Sequence, residues 1–129
     1  MNEHTRKLLD KSLDVLEAAE ALLNIGKIDV AAGRAYYSMM HTAEALLFEE
    51  KDLSFNKHGD IHAAYGLYFA KTKILDPKFH RWLLDAFDQR IVGDYDVSSG
   101  LDKEMVSEMI EQAGVFLQAA REYLGNTHA

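Results

Sequence analysis

Arg34-Ala-Tyr-Tyr-Ser-Met-Met-His-Thr-Ala-Glu-Ala-Leu-Leu47 is the run whose reading decides the architecture of this chain. Tyr36, Met40, Ala43 and Leu47 recur at helical spacing, with Tyr37, Met39 and Leu46 on either side, so the apolar face is much wider than the stripe of a surface helix. A helix with so broad a face needs neighbours on several sides. It is therefore predicted to be the central element of a helical bundle.

Reading outward, Leu9, Leu13, Leu16 and Leu23 give a first helix from about Asn2 to Asn24, closed by Ile25-Gly26-Lys27. Asp29 is placed to cap the central helix, where a carboxylate can accept from free amides and meets the positive end of the dipole. Glu49 to Leu53 is charged and reads as loop. Ser54 or Asn56 then opens a third helix bearing Ile61, Tyr65, Tyr68, Phe69 and Thr72. Asp76-Pro77 is a clearer start, because proline at the first helical position loses no needed donor. The fourth helix it opens carries Phe79, Leu83, Ala86 and Phe87, and Gly93 to Gly100 interrupts the pattern. A fifth runs from about Leu101 to Leu124 with Val106, Met109, Ile110, Ala113, Phe116, Leu117 and Ala120 inward; Gly125-Asn126 reads as its left-handed stop and residues 126–129 as a frayed tail. None of these segments buries its face alone. The expected fold is all-α, a single domain over 1–129: an up-and-down antiparallel four-helix bundle with an additional short helix.

The 129 residues contain one Pro, eight Gly and no Cys, which suits helix and excludes disulfides and thiolate metal sites. No apolar run approaches the ~20 residues that span a bilayer, and the absence of a secretory h-region at the start makes the cytoplasm the expected compartment. A net charge of -7 argues against indiscriminate nucleic-acid binding. Residues 51–90 nonetheless carry seven basic against five acidic groups, so an anion is best tolerated there. Lys57, Lys71, Lys73, Lys78 and Arg81 in this third read either as solvated lysines over a core of aromatics or as a phosphate-guiding rim.

Arg90 is followed by Gly93-Asp94-Tyr95-Asp96, two carboxylates and a phenol beside a guanidinium at a helix end. One reading is a C-terminus in which Arg90 bonds terminal carbonyls or pairs with Asp94; the other is an anion site. His41 reads as a core histidine bonding a carbonyl or a tyrosine hydroxyl, and Arg34 reaches the Arg90 site if the second and fourth helices are neighbours. His58 and His62 share a helix face four residues apart, as metal ligands do, but no third ligand is apparent and polar residues of an exposed first turn account for them. No Gly-rich phosphate loop, Ser-His-Asp order or zinc pattern occurs, and neither a metal nor a cofactor is expected.

Arg34 to Leu47 together with Arg90-Ile-Val-Gly-Asp-Tyr95 resembles the HEPN family (higher eukaryotes and prokaryotes nucleotide-binding), small helical bundles often encoded beside minimal nucleotidyltransferases and including RNA-cleaving toxins. The resemblance extends over nearly the whole chain. It implies a HEPN-like bundle, a homodimer in which the fourth-helix arginines of two subunits face a shared cleft, and a component of a toxin and antitoxin pair whose partner is a minimal nucleotidyltransferase. RNA or a nucleotide is the implied ligand. The implied activity is metal-independent RNA cleavage, in which Arg90 binds the scissile phosphate, Asp94 orients Arg90, and Tyr95 donates a hydroxyl or accepts a nucleotide from the partner. Arg34 and His41 are the further candidates for binding RNA or nucleotide. The family pattern puts a histidine after four to six intervening residues beyond the working arginine. Positions 95, 96 and 97 are Tyr, Asp and Val. That gap opens a second reading, a non-catalytic nucleotide- or partner-binding module of a nucleotidyltransferase complex.

Overall fold

The computed structural model describes residues 1–128. Its helices are α1 (Glu3–Asn24), α2 (Ile28–Lys51), α3 (His58–Tyr65), which runs on into a π-helical turn (Gly66–Ala70), α4 (Lys78–Tyr95) and α5 (Lys103–His128), with no strand among the described residues. Asn2 caps α1 by accepting from the Thr5 amide at 2.8 Å, and Asp102 caps α5 by accepting from the Met105 amide at 2.8 Å. Asp76 does the same for α4, taking the Lys78 amide at 2.9 Å.

Long helices that follow one another alternate in direction. Ser12 of α1 meets Ser38 and Thr42 of α2, Arg90 late in α4 meets Tyr37 early in α2, and Phe79 early in α4 stacks on Phe116 of α5, ring centroids 5.1 Å apart. Asp10 of α1 faces Arg121 of α5, which closes the bundle. The short α3 bridges α2 to α4. As its broad apolar face requires, α2 packs against every other helix, and Tyr36, Met39, Leu46 and Leu47 lie in the core with Leu9, Phe69, Leu83, Phe116 and Leu124.

Several local expectations are corrected by packing. Leu13, expected inward, is exposed, and Ser12 is buried in its place. The Ser12 hydroxyl donates to the Ser38 carbonyl at 2.8 Å and lies 2.9 Å from the Thr42 hydroxyl; a small side chain with local partners lets α1 and α2 approach closely without leaving a polar group unpaired. Asp29 does not cap α2, which begins one residue earlier with no side-chain cap; its carboxylate instead accepts from Ser99 at 2.7 Å, tying the α4–α5 loop to α2. The charged segment after Phe48 stays helical to Lys51, and Asp52 ends it in the left-handed conformation at φ 54. Neither Ser54 nor Asn56 caps α3, which starts at His58.

Gly93 does not end α4. A methyl group there would come within 3.3 Å of the Asp29 carbonyl and of Leu101, so the glycine is a close-packing residue and the helix continues to Tyr95. Helix α5 likewise continues through Gly125 to His128; the part of the expected tail at Ala129 lies outside the described residues.

Candidate functional site

The seam between α2 and α4 holds the arginine singled out in the sequence. Because α4 stays helical past Gly93, Arg90 and Asp94 are one turn apart on one face, and Arg90 Nε lies 2.9 Å from Asp94 Oδ2. The contact is ionic more than directional, since the Nε–H is buried and not aligned to donate. Arg90 Nη2 donates to the Tyr37 hydroxyl at 3.2 Å, and the guanidinium lies over the Tyr37 ring, 5.3 Å from its centroid. One edge of the fork is thus fixed by Asp94 and Tyr37. The rest of a group that is 20% exposed remains for an incoming anion.

That anion would enter an open hollow of about 250 Å³ lined by Val30, Gly33, Arg34, Tyr37, Arg90 and Asp94. Arg34, predicted to reach Arg90 if the two helices were neighbours, does line it, and its side chain is exposed. Arg90, Arg34 and Asp94 are therefore brought together. Tyr95 and His41 are not part of the hollow. Tyr95 is 75% exposed on the last turn of α4, and His41, one turn beyond Tyr37, holds Glu44 through Nδ1 at 3.0 Å while half-buried.

Sequence reasoning missed what stands beside the arginine. His58 and His62 do not occupy an exposed first turn: His62 is buried with Nε2 2.8 Å from the Tyr36 hydroxyl, and His58 is half-buried among Tyr36, Tyr37 and Phe87, ring centroids 5.7, 5.6 and 6.2 Å away. Their four-residue spacing was the available signal of a shared face; that this face meets α2 and α4 was not in the sequence. Burial, then the neighbouring His58 and His80, push the His62 imidazole down to about 4, with Asp88 opposing. Burial, then the Arg90 guanidinium, also lower His58, with His41 adding to this and Glu44 opposing it. Burial, with the neighbouring Tyr37, raises the Tyr36 phenol, so Tyr36 and His62 form a neutral hydrogen-bonded pair. No group of three or more His, Asp or Glu among the described residues is gathered to hold a metal. No helix among them is long and apolar enough to cross a membrane.

A model of the HEPN domain matches residues 5–123. A Methanocaldococcus jannaschii protein named "Putative toxin" is 32% identical over 118 residues, 92% of this chain and 80% of that protein. A Gloeobacter violaceus protein named only as a UPF0332 protein is 32% identical over 125 residues, 96% of this chain and 98% of its own length. A UPF0332 protein of Thermotoga maritima is 31% identical over 109 residues, 84% of this chain and 82% of that one.

Proposed function

The chain belongs to the HEPN domain family, and from that premise we propose that it acts as a toxin-like HEPN protein whose Arg90 hollow receives a phosphate of RNA and promotes metal-independent cleavage. The observation that carries this reading is the guanidinium held from one side by Asp94 and Tyr37 and open on the other to a hollow it shares with Arg34. The pair with Asp94 is also what a purely structural helix end would show; the hollow that the guanidinium shares with Arg34 is what favours the anion site. Two cations above one hollow offset the charge of a phosphodiester, and more so the extra charge of the pentacoordinate transition state. Asp94 fixes the plane of the guanidinium in advance, so little reorganisation accompanies binding.

Relatives named as toxins support the reading. In its fuller form the protein is a homodimer in which the α4 arginines of two copies meet across a cleft, paired with a minimal nucleotidyltransferase that holds the toxin in check. Total RNA incubated with the purified protein and with Arg90→Ala tests it. We expect cleavage by the native protein and a loss of about 10²- to 10³-fold in the variant, the usual effect of removing one charge-stabilising donor. Equal cleavage, or none from either, removes the nuclease reading.

The sequence Tyr95-Asp96-Val97, where the family pattern has a histidine, favours a second reading, a binding module for a nucleotidyltransferase. Co-purification with such a transferase, its activity intact and RNA undamaged, would select the module.

A further inference from the structure

Cleavage of RNA without a metal requires a group that takes the proton of the 2′-hydroxyl, and the neighbours of Arg90 on its own helix supply none. Asp94 is committed to Arg90, and Tyr95 is a phenol turned to solvent on the last turn of α4. The imidazoles nearby differ sharply in what they are free to do. His62 is buried and bonded to Tyr36, His80 Nε2 donates to the His62 carbonyl at 3.1 Å, and His41 is bound to Glu44. His4 packs on Phe48 elsewhere on the bundle. Only His58, among the described histidine side chains near Arg90, has neither ring nitrogen in a hydrogen bond to another described residue, and it is partly exposed.

Four rings hold it nonetheless. Tyr36, Tyr37, Phe87 and His62 surround the His58 imidazole at 5.6 to 6.5 Å between centroids. Tyr37 is shared, because the Arg90 guanidinium lies over the same ring. His58 is not among the residues that line the hollow but adjoins it through Tyr37, and an imidazole so placed, fixed by packing and with its nitrogens unbonded, can serve as a general base.

We propose that His58, at the start of α3, is the general base of this site, standing in from another helix for the histidine that α4 lacks. The inference rests on the cleavage reading above. In the step, a neutral His58 nitrogen takes the 2′-hydroxyl proton, the 2′-oxygen bonds to phosphorus, and the phosphorus to 5′-oxygen bond breaks. The departing 5′-oxygen takes a proton from water, leaving a 2′,3′-cyclic phosphate and a 5′-hydroxyl. Arg90 and Arg34 hold the phosphorane oxygens throughout. The charged and titratable groups facing His58 are Arg90 from α4, Glu44, His41, Tyr36 and Tyr37 from α2, and His62 from α3; burial and Arg90 favour the neutral, base-competent form.

The test is cleavage of a defined single-stranded oligoribonucleotide by the full-length protein, by His58→Gln and His58→Asn, by Arg90→Ala, and by His4→Gln as a control remote from Arg90. Far-ultraviolet circular dichroism confirms folding, and fluorescence anisotropy reports binding of the uncleavable 2′-deoxy oligonucleotide. We expect both His58 variants to bind normally yet cleave about 10²- to 10⁴-fold more slowly. Imidazole added to His58→Ala, which leaves room for it, should restore part of the rate, and the fall in native rate at acid pH, below the ordinary histidine range, should vanish from the Gln and Asn variants. His58 variants that fold and cleave at the native rate while Arg90→Ala is dead would overturn this inference and leave the function standing. A native protein that cleaves no better than Arg90→Ala would overturn both. If a variant fails to fold, acylation of the native protein with diethyl pyrocarbonate decides: loss of cleavage that tracks modification of His58, located by mass spectrometry and blocked by the bound 2′-deoxy oligonucleotide, supports the assignment, and full cleavage with His58 modified overturns it.

Discussion

At the scale of single residues, the polar side chains inside this bundle differ in how fully they are satisfied, and the differences predict opposite responses. His62 bonds Tyr36 as a neutral imidazole with its proton affinity lowered to about 4. A lowered folded-state value means the unfolded chain binds the proton first, so the stability due to neutral His62 is complete above about 6.5, the unfolded value, and is lost as pH falls from there toward about 4. The loss is on the order of 3 kcal/mol. Urea titrations across that window should show it, and His62→Gln should flatten this part of the profile; an unchanged profile would count against the buried pair. Tyr65 behaves differently, because its hydroxyl is buried with no hydrogen-bond partner among the described residues while its ring stacks on Phe69 and meets Phe116 edge-on. Removing an unsatisfied hydroxyl and keeping the ring, as in Tyr65→Phe, should leave stability unchanged or raise it by about 1 kcal/mol, read as the melting temperature. A fall of that size would mean the phenol has a partner after all. Arg90 and Asp94 were legible as a candidate site because their types and spacing are chemical. His58 was not, since nothing local distinguishes a solvated imidazole from one packed on an arginine-bearing tyrosine.

At the scale of the element, glycine placement shows how packing overrides local preference. The π-helical turn after α3 forms where the His80 imidazole presses on Gly66; a methyl group at residue 66 would lie 2.6 Å from His80 Cε1. Gly66→Ala must push His80 away from the His62 carbonyl and should cost about 1 to 3 kcal/mol. Gly33, in contrast, would place its methyl group 3.8 Å from Arg90 Cγ and 3.9 Å from Asp94 Oδ1, ordinary contacts. Gly33→Ala should therefore fold as well as the native chain or gain up to about 1 kcal/mol from helix propensity, while narrowing the hollow and weakening RNA binding. Chemical denaturation of both variants, with anisotropy for the second, separates these outcomes; equal losses of stability would refute the contrast. The extent of α4 follows the same logic. Read alone, Gly93 is a breaker, but against Asp29 and Leu101 it is the residue that fits, and the added helical turn is what pairs Asp94 with Arg90.

At the scale of the whole molecule, the proposed homodimer would cover some of the exposed apolar groups, those on α4. Leu84, Ile91 and Tyr95 lie along α4 with exposed side chains, spaced so that they share one face, about a third of a turn round the helix from Arg90. Analytical ultracentrifugation should show a dimer at micromolar concentration, and Ile91→Glu should shift it to monomer without loss of helicity; a native protein that sediments as a monomer would refute this placement. The sequence by itself determined the class of architecture, the centrality of α2 and the identity of the arginine, because helical periodicity, an unusually wide apolar face and the grouping of charge next to a phenol are local properties of the chain. Only the tertiary structure decided that Tyr37 and Asp94 grip Arg90, that Arg34 opens onto the same hollow and that His58 packs on Tyr37. These contacts join α2, α3 and α4 across up to 53 residues of chain, and their distances follow from how closely helices pack, which depends on small residues such as Ser12, Gly33 and Gly93 whose role appears only when the partner surface is in place.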